Sequence, residues 1–249
     1  MDNSKCEACA VDTLSIFDPM PVQSVMTGHQ IIRILPSTCS LKDATTIEFD
    51  FPTVQTATYY DLSDAKLVLN FKTLTDANAN PAVGSAIVAG SFVNLITSSL
   101  FSDVRLMIYD KPVEGTGNMY AYQSMIHTLL RYGKSKKKEL LAIAGYFDED
   151  PTKADEYVDL ATNPGYLKKR DVIKNKSEKF IGTINLGLFR QPLKLPGFVK
   201  LKLVFTRAPV DFYIDNMTTD KPAKLKVDVT DMYIEIRQVH VVSSVLNSH

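Results

Sequence analysis

KLKLVFTR, residues 200–207, places Leu201, Leu203 and Phe205 on one side of an extended chain and Lys200 and Lys202 on the other. Side chains along a strand alternate between two faces, so this pattern predicts a strand with one face buried and one in water. The same spacing recurs along the chain. TIEFDF offers Ile47, Phe49 and Phe51; KLVLNFK offers Leu67, Leu69 and Phe71; DVRLMIY offers Val104, Leu106 and Ile108. Near the C-terminus Leu225, Val227 and Val229 alternate, and Met232, Ile234 and Ile236 resume one residue out of phase. A bulge or short turn is therefore expected at Thr230-Asp231. One-faced strands parted by Gly, Pro and Asp turns predict antiparallel sheets packed face to face, since parallel sheets carry continuous apolar runs and regularly alternating helices. The expected fold is all-β: an antiparallel jelly-roll β-sandwich of about eight principal strands with short helical insertions.

The best helical pattern spans Met119 to Arg131, where Met119, Tyr122, Ile126, Leu129 and Leu130 share helical spacing. Asn118 reads as its N-cap and Gly133 as its stop. A shorter helix is expected in KSKKKELLAIAGYF, with Leu140, Leu141 and Ala144 turned inward. Charge comes in blocks: basic from Arg131 to Lys138, acidic from Asp148 to Asp159, basic again from Leu167 to Lys179. Such blocks fit solvated surface loops or docking surfaces between subunits. Residues 1–28 lack periodicity and read as an extended or disordered N-terminal arm, leaving residues 29–249 as a single jelly-roll domain.

The 249 residues are 45% hydrophobic, and the 28 Lys plus Arg match the 28 Asp plus Glu. That balance gives no general attraction to nucleic acid or anionic membranes, which usually draw on a basic excess. Three cysteines do not make a disulfide framework, and the polar, acidic N-terminus does not resemble a signal peptide, so synthesis in a reducing cytoplasm is expected. AVGSAIVAGSFVNLITSSLF is too interrupted by Gly, Ser and Asn to be a spanning helix.

Chemistry-bearing residues are scattered. Cys6 and Cys9 have zinc-ligand spacing, with His29 or Cys39 as remote partners, but structural zinc sites supply a second close pair. His127 is expected on a helix rim and His240 on a surface or an interface. The Gly115-Thr116-Gly117 turn has neither the third glycine nor the βαβ setting of a phosphate loop. Asp148, Glu149 and Asp150 lack the apolar surroundings that separate the pKa values of a catalytic acid and base. No nucleophile motif, Walker loop or metalloprotease helix occurs. The expectation is no enzyme, no catalytic residue, no cofactor and no metal.

NLITSSLFSDVRLMIYDKPVEGTGNMYAYQSMIHTLLRYGK, residues 94–134, resembles the major capsid proteins of Polinton (Maverick) elements and adintovirus-like viruses. In those proteins an Asn-Leu-hydrophobic-Ser-Leu-Phe stretch leads into a strand, a turn and a Tyr-x-Tyr helix ending in Leu-Leu-x-Tyr-Gly. YYDLSDAKLVLNFK (59–72), GTINLGLFRQPLKLPGFVKLKLVFTRAPVDFYI (182–214) and VTDMYIEIRQVHVVSSVLNSH (229–249) resemble further segments of the same family in the same order. The resemblance implies a double-jelly-roll capsid protein of which this chain matches the first jelly roll. It further implies a virion protein that partners itself and other capsid subunits in trimeric capsomers of an icosahedral shell. Such a protein is made in the host cytoplasm, with the nucleus as one place of assembly, and has no substrate, no sequence-specific nucleic-acid contact and no membrane span. The alternatives are a cellular single jelly-roll module for carbohydrate or a receptor, and a host-retained remnant of a capsid gene. A cupin-type enzyme would need clustered His and Glu ligands that the sequence does not provide.

Overall fold

A computed structural model describes residues 25–75, 91–149, 152, 163–174, 177–215 and 225–242. The strands are β1 (Met26–Ile34), β2 (Thr46–Asp50), β3 (Thr58–Thr75), β4 (Ser91–Phe92), β5 (Phe101–Ile108), β6 (Lys111–Gly115), β7 (Glu178–Thr183), β8 (Leu195–Pro196), β9 (Leu201–Arg207), β10 (Ile214–Asp215) and β11 (Leu225–Val241). The helices are α1 (Ile96–Ser99), α2 (Tyr120–Arg131), α3 (Lys134–Glu139), α4 (Pro164–Lys174) and α5 (Val210–Tyr213).

Eight of these strands form two antiparallel sheets, ordered β1-β11-β3-β7 and β2-β9-β5-β6. Strands from the two halves of the chain interleave in both sheets, and the path crosses from one sheet to the other between β1 and β2, β2 and β3, β3 and β5, β6 and β7, β7 and β9, and β9 and β11. Two four-stranded sheets wound in this way are a jelly roll. The short strand β8 adds to β3, and β4 pairs with β10 beside the sandwich.

The alternating residues meet between the sheets. Ile47 opposes Phe205 and Phe49 opposes Leu203 across β2 and β9, while Val104 and Leu106 of β5 face the same two β9 residues from the other side. All six are buried. Phe205 lies edge-on to Phe49 at 5.6 Å and tilted against Phe101 at 4.9 Å, geometries that aromatic rings favour. In the second sheet Phe71 stacks on Phe180 at 5.5 Å and meets Phe92 edge-on. Each fully buried Phe or Leu contributes about 1.5–3 kcal/mol relative to exposure. Leu67, Leu69, Leu201, Ile234 and Ile236 are buried as the alternation requires, and Ile108, at the end of β5, is half-buried.

The expected phase slip is present: Val229 pairs with Phe71 but Asp231 with Asn70, so Thr230 is the extra residue. A second irregularity, unanticipated from the sequence, opens in β3. Glu235 pairs with Lys66 and Arg237 with Asp61, leaving Leu62 to Ala65 opposite the single residue Ile236. Asp64, in this bulge, holds Arg237 at 2.9 Å.

Several local expectations change. β1 begins at Met26, inside the span read as an arm, and residues 1–24 lie outside the described residues. Asn118 does not cap α2. It sits at φ 64° in the turn, after Gly117 at φ 58°, and Met119 occupies the cap position without a side-chain bond. Gly133 does not end α2 either; Tyr132 does, in extended conformation, and Gly133 instead precedes α3. The basic block from Leu167 to Lys179, read as a loop, contains most of α4, which buries Tyr166 and Ile173.

Candidate assembly surface and adjoining cleft

The turn that launches α2 is pinned from below. Thr116 donates through both its backbone N–H and its hydroxyl to Asp103 Oδ1, at 3.2 and 2.8 Å, and its Oγ1 accepts from the Val104 N–H at 3.0 Å. The Gly-Thr-Gly stretch thereby serves as a fixed turn between β6 and the helix. Its polar groups are occupied by β5 and are not arranged around a ligand.

From this anchor α2 lies with its small and polar side toward the sandwich. Tyr120, Ser124 and Thr128, four residues apart and so on one face, are buried. Tyr120 is wholly enclosed, its hydroxyl accepting the Asn185 N–H at 3.3 Å, and burial pushes its pKa up. The helix packs on α1, whose four residues are all buried.

The opposite face of α2 carries the apolar stripe. Tyr122, Ile126, Leu129 and Leu130 are exposed, Leu130 at 83%, and Met119 stands beside them. Leu140 is 61% exposed, contrary to its expected inward orientation, and Ile143 is 53% exposed; only Ala144 of this turn is buried. Within the described residues Tyr122 meets Phe212 edge-on at 5.6 Å, and the rest of the stripe faces outward. Exposed Arg131, Lys134 and Lys136 border it, and Lys137 donates to the Leu129 carbonyl at 3.0 Å, where a cation suits a helix C-terminus.

Between α2, the 3-10 turn Leu141–Ala144 and β7 lies a cleft of about 380 Å³. Leu95, Leu141, Ile143, Ile181, Ile184 and Phe189 form its apolar walls, and Lys66, His127, Arg131 and Arg190 stand around them. His127 is thus half-buried on a cleft wall; burial, then the charges of Arg190 and Arg131, hold its pKa below the usual histidine value.

The remaining chemistry-bearing residues do not converge. His29 lies on β1, and Cys39 is exposed in the following connection. Cys6 and Cys9 are outside the described residues. Among the described residues no group of three or more His, Cys, Asp or Glu could hold a metal ion. His240 lies on β11, its Nδ1 3.3 Å from Thr58 Oγ1. Of the acidic block, Asp148 and Glu149 are described; Asp148 is exposed, and Glu149 pairs with buried Lys169 of α4, a bolt that sequence reading did not anticipate. No helix among the described residues is long and apolar enough to cross a membrane.

No family model matches the chain. An uncharacterized protein of Caenorhabditis elegans is 26% identical over 195 residues, covering 76% of this chain and 44% of that protein. Among solved structures, the Sputnik virophage is similar with a TM-score of 0.59 at 14% identity, over 92% of this chain and 51% of the matched chain. The Faustovirus major capsid protein is similar with a TM-score of 0.51 at 8% identity, over 95% and 58%. The PBCV-1 virus capsid is similar with a TM-score of 0.51 at 11% identity, over 93% and 46%. The chain spans about half the length of these relatives. Its fold is therefore the jelly roll of viral capsid proteins, and its structural neighbours are shell proteins, not enzymes.

Proposed function

We propose that the chain is a capsid building block of a virus or virus-like element of the Polinton kind, acting by assembly with copies of itself and with other capsid subunits. The observation that carries this reading is the inverted helix α2: on a capsid-type jelly roll, it turns its apolar stripe outward and its polar side inward. Large exposed apolar patches mark interaction surfaces. A stripe framed by basic residues suits burial against a neighbour whose facing charges steer approach. Closed symmetry repeats such a contact around an axis, and the trimeric capsomer implied by the family resemblance is the arrangement proposed for this chain. The proposed domain plan is an arm over residues 1–28, its last three residues carried into strand β1, and one jelly roll over residues 29–249, with the virion as the protein's destination. The relative in a nematode supports an element carried in animal genomes, including a retained capsid gene.

The test is electron microscopy of the purified chain, joined to sedimentation across a salt series. Trimers or hexagonal tiles that dissociate when Ile126 and Leu130 are replaced by Ser support the reading. A monomer at high concentration and low salt overturns it.

A further inference from the structure

The cleft beside α2 has a chemical character of its own. Its lining contains Lys66, His127, Arg131 and Arg190 and no Asp or Glu, while most of its wall surface is apolar. Arg131 has no partner among the described residues. Arg190 spends one N–H on the neutral Asn185 carbonyl at 3.3 Å, while Lys66 is paired with Asp64 at 3.8 Å, so among the described residues Arg131 and Arg190 are the cleft arginines left without a carboxylate. A complementary occupant must bring negative charge and apolar bulk together.

The volume is in the range of ligand pockets, about 300–1,000 Å³. Yet the cleft does not close around a small molecule. Leu140 and Ile143 belong both to its lining and to the exposed apolar stripe, so the apolar surface runs out of the cleft and along the helix. A ligand that uses both must be longer than the cleft. Nucleic acid is disfavoured because single-stranded sites stack successive bases on aromatic platforms, whereas this lining sets two rings, Tyr132 and Phe189, among aliphatic and polar residues. Another copy's described surface does offer exposed Asp43, Glu139, Asp148 and Asp211 outside any ion pair, but these lie apart on four separate stretches of the chain, whereas the cleft calls for acids and apolar side chains on one segment.

We propose that the cleft binds an acidic, apolar peptide segment of a partner protein, its carboxylates on Arg131 and Arg190 and its apolar side chains against Leu141, Ile143 and Ile184. Arginine forks suit carboxylates, and the apolar walls exclude water from the pairs. This site adjoins the stripe assigned to contacts between copies, sharing Leu140 and Ile143 with it, but the charges and apolar walls that carry the proposal are present whether or not the chain builds a shell.

The experiment uses the full chain and a fluorescein-labelled probe peptide, Glu-Leu-Asp-Ile-Glu-Phe-Asp, read by anisotropy. Two controls replace its acids by Gln and Asn, or its apolar residues by Ser. The expected result is binding at least ten-fold tighter than either control, weakened ten-fold or more by Arg131→Glu and by Ile143→Asp. Arg131→Gln, a milder change at an exposed position, should weaken binding in the same direction with an unchanged unfolding midpoint. Bound carboxylates should also move the His127 titration upward, which NMR reads directly. Equal affinity for the acidic and amide peptides overturns the proposal, as does displacement of the probe by oligothymidylate at lower concentration. A free peptide of residues 148–160 that outcompetes the probe assigns the cleft to this chain's own acidic segment and likewise overturns it.

Discussion

In the sandwich, apolar residues point inward and charged residues outward; in α2 the arrangement is reversed. Phe49, Leu203 and Phe205 are enclosed between sheets, while Ile126, Leu129 and Leu130 stand in water on a helix whose buried face is Tyr120, Ser124 and Thr128. The two regions have equally clear apolar periodicity. Periodicity thus identifies a face that needs covering, but the cover can be the same chain or another molecule.

The largest expected effect tests the enclosed side. Phe205→Ala should cost about 3–5 kcal/mol in a urea titration, because it leaves a cavity touching Phe49 and Phe101. Lys202→Ala, on the opposite face of the same strand, should cost roughly 1 kcal/mol or less, since its ion pair with Glu48 is a partly exposed surface pair. Equal costs would mean that the inside and outside of β9 are misassigned.

A smaller effect tests the buried polar side of α2. Tyr120→Phe removes the acceptor for the Asn185 N–H and should cost about 1–3 kcal/mol, read in the same titration. No loss would show that the helix is not docked through this contact.

On the outward side, Ile126→Ser and Leu130→Ser should change stability by roughly 0.5 kcal/mol or less and act instead on association, measured by sedimentation. A large loss of stability in the isolated chain would erase the contrast between the regions.

The smallest effects are in pH, and they separate the regions by window. For Asp61, burial alone would raise the pKa, but hydrogen bonds from Lys194 and Ser63 and the nearby charges hold it below the usual value. Its contribution is present above the unfolded value of about 3.9 and is lost as pH falls through the lower folded value. His127 is depressed by burial and by Arg190 and Arg131, so the folded state also binds fewer protons there. Its contribution is present above about 6.5 and fades as pH falls through its folded value. Asp61→Asn should flatten stability against pH below about 4, and His127→Gln below about 6.5. Thermal unfolding across pH distinguishes the two; a His127→Gln profile identical to wild type would remove the histidine from the cleft's charge field.

The sheets were legible because strand burial has a period of two and nearly every inward position is apolar. The bulge at Thr230 was legible for the same reason, as a break in phase. The bulge at Leu62 to Ala65 was less so, since Tyr60 and Leu62 do not continue the phase of Leu67 and Leu69, and a short mixed stretch gives that slip little weight. Helix α4 was hidden because its buried residues are few among lysines, and Lys169 is buried through its pairing with Glu149, a contact that composition does not announce. The cleft was invisible for another reason: His127, Arg131 and Arg190 come together only when α2 lies across the exit of β7.

Strand β11 sits between β1 and β3, and among the described residues it is the last jelly-roll strand to be made. Met26 must wait for Val241, a separation of 241 − 26 = 215 residues. At about 5–20 residues per second, that is on the order of 10–40 s of synthesis during which β1 has no partner, and one edge of β3 waits somewhat less, its Thr58 being 240 − 58 = 182 residues from His240. Contacts so distant also close slowly, because chain entropy is lost before the ladder forms. The protein's most vulnerable period is therefore on the ribosome, when an unpaired β3 edge can join a neighbouring nascent chain. Truncation before β11 should give aggregates of half-sandwiches in place of smaller soluble domains.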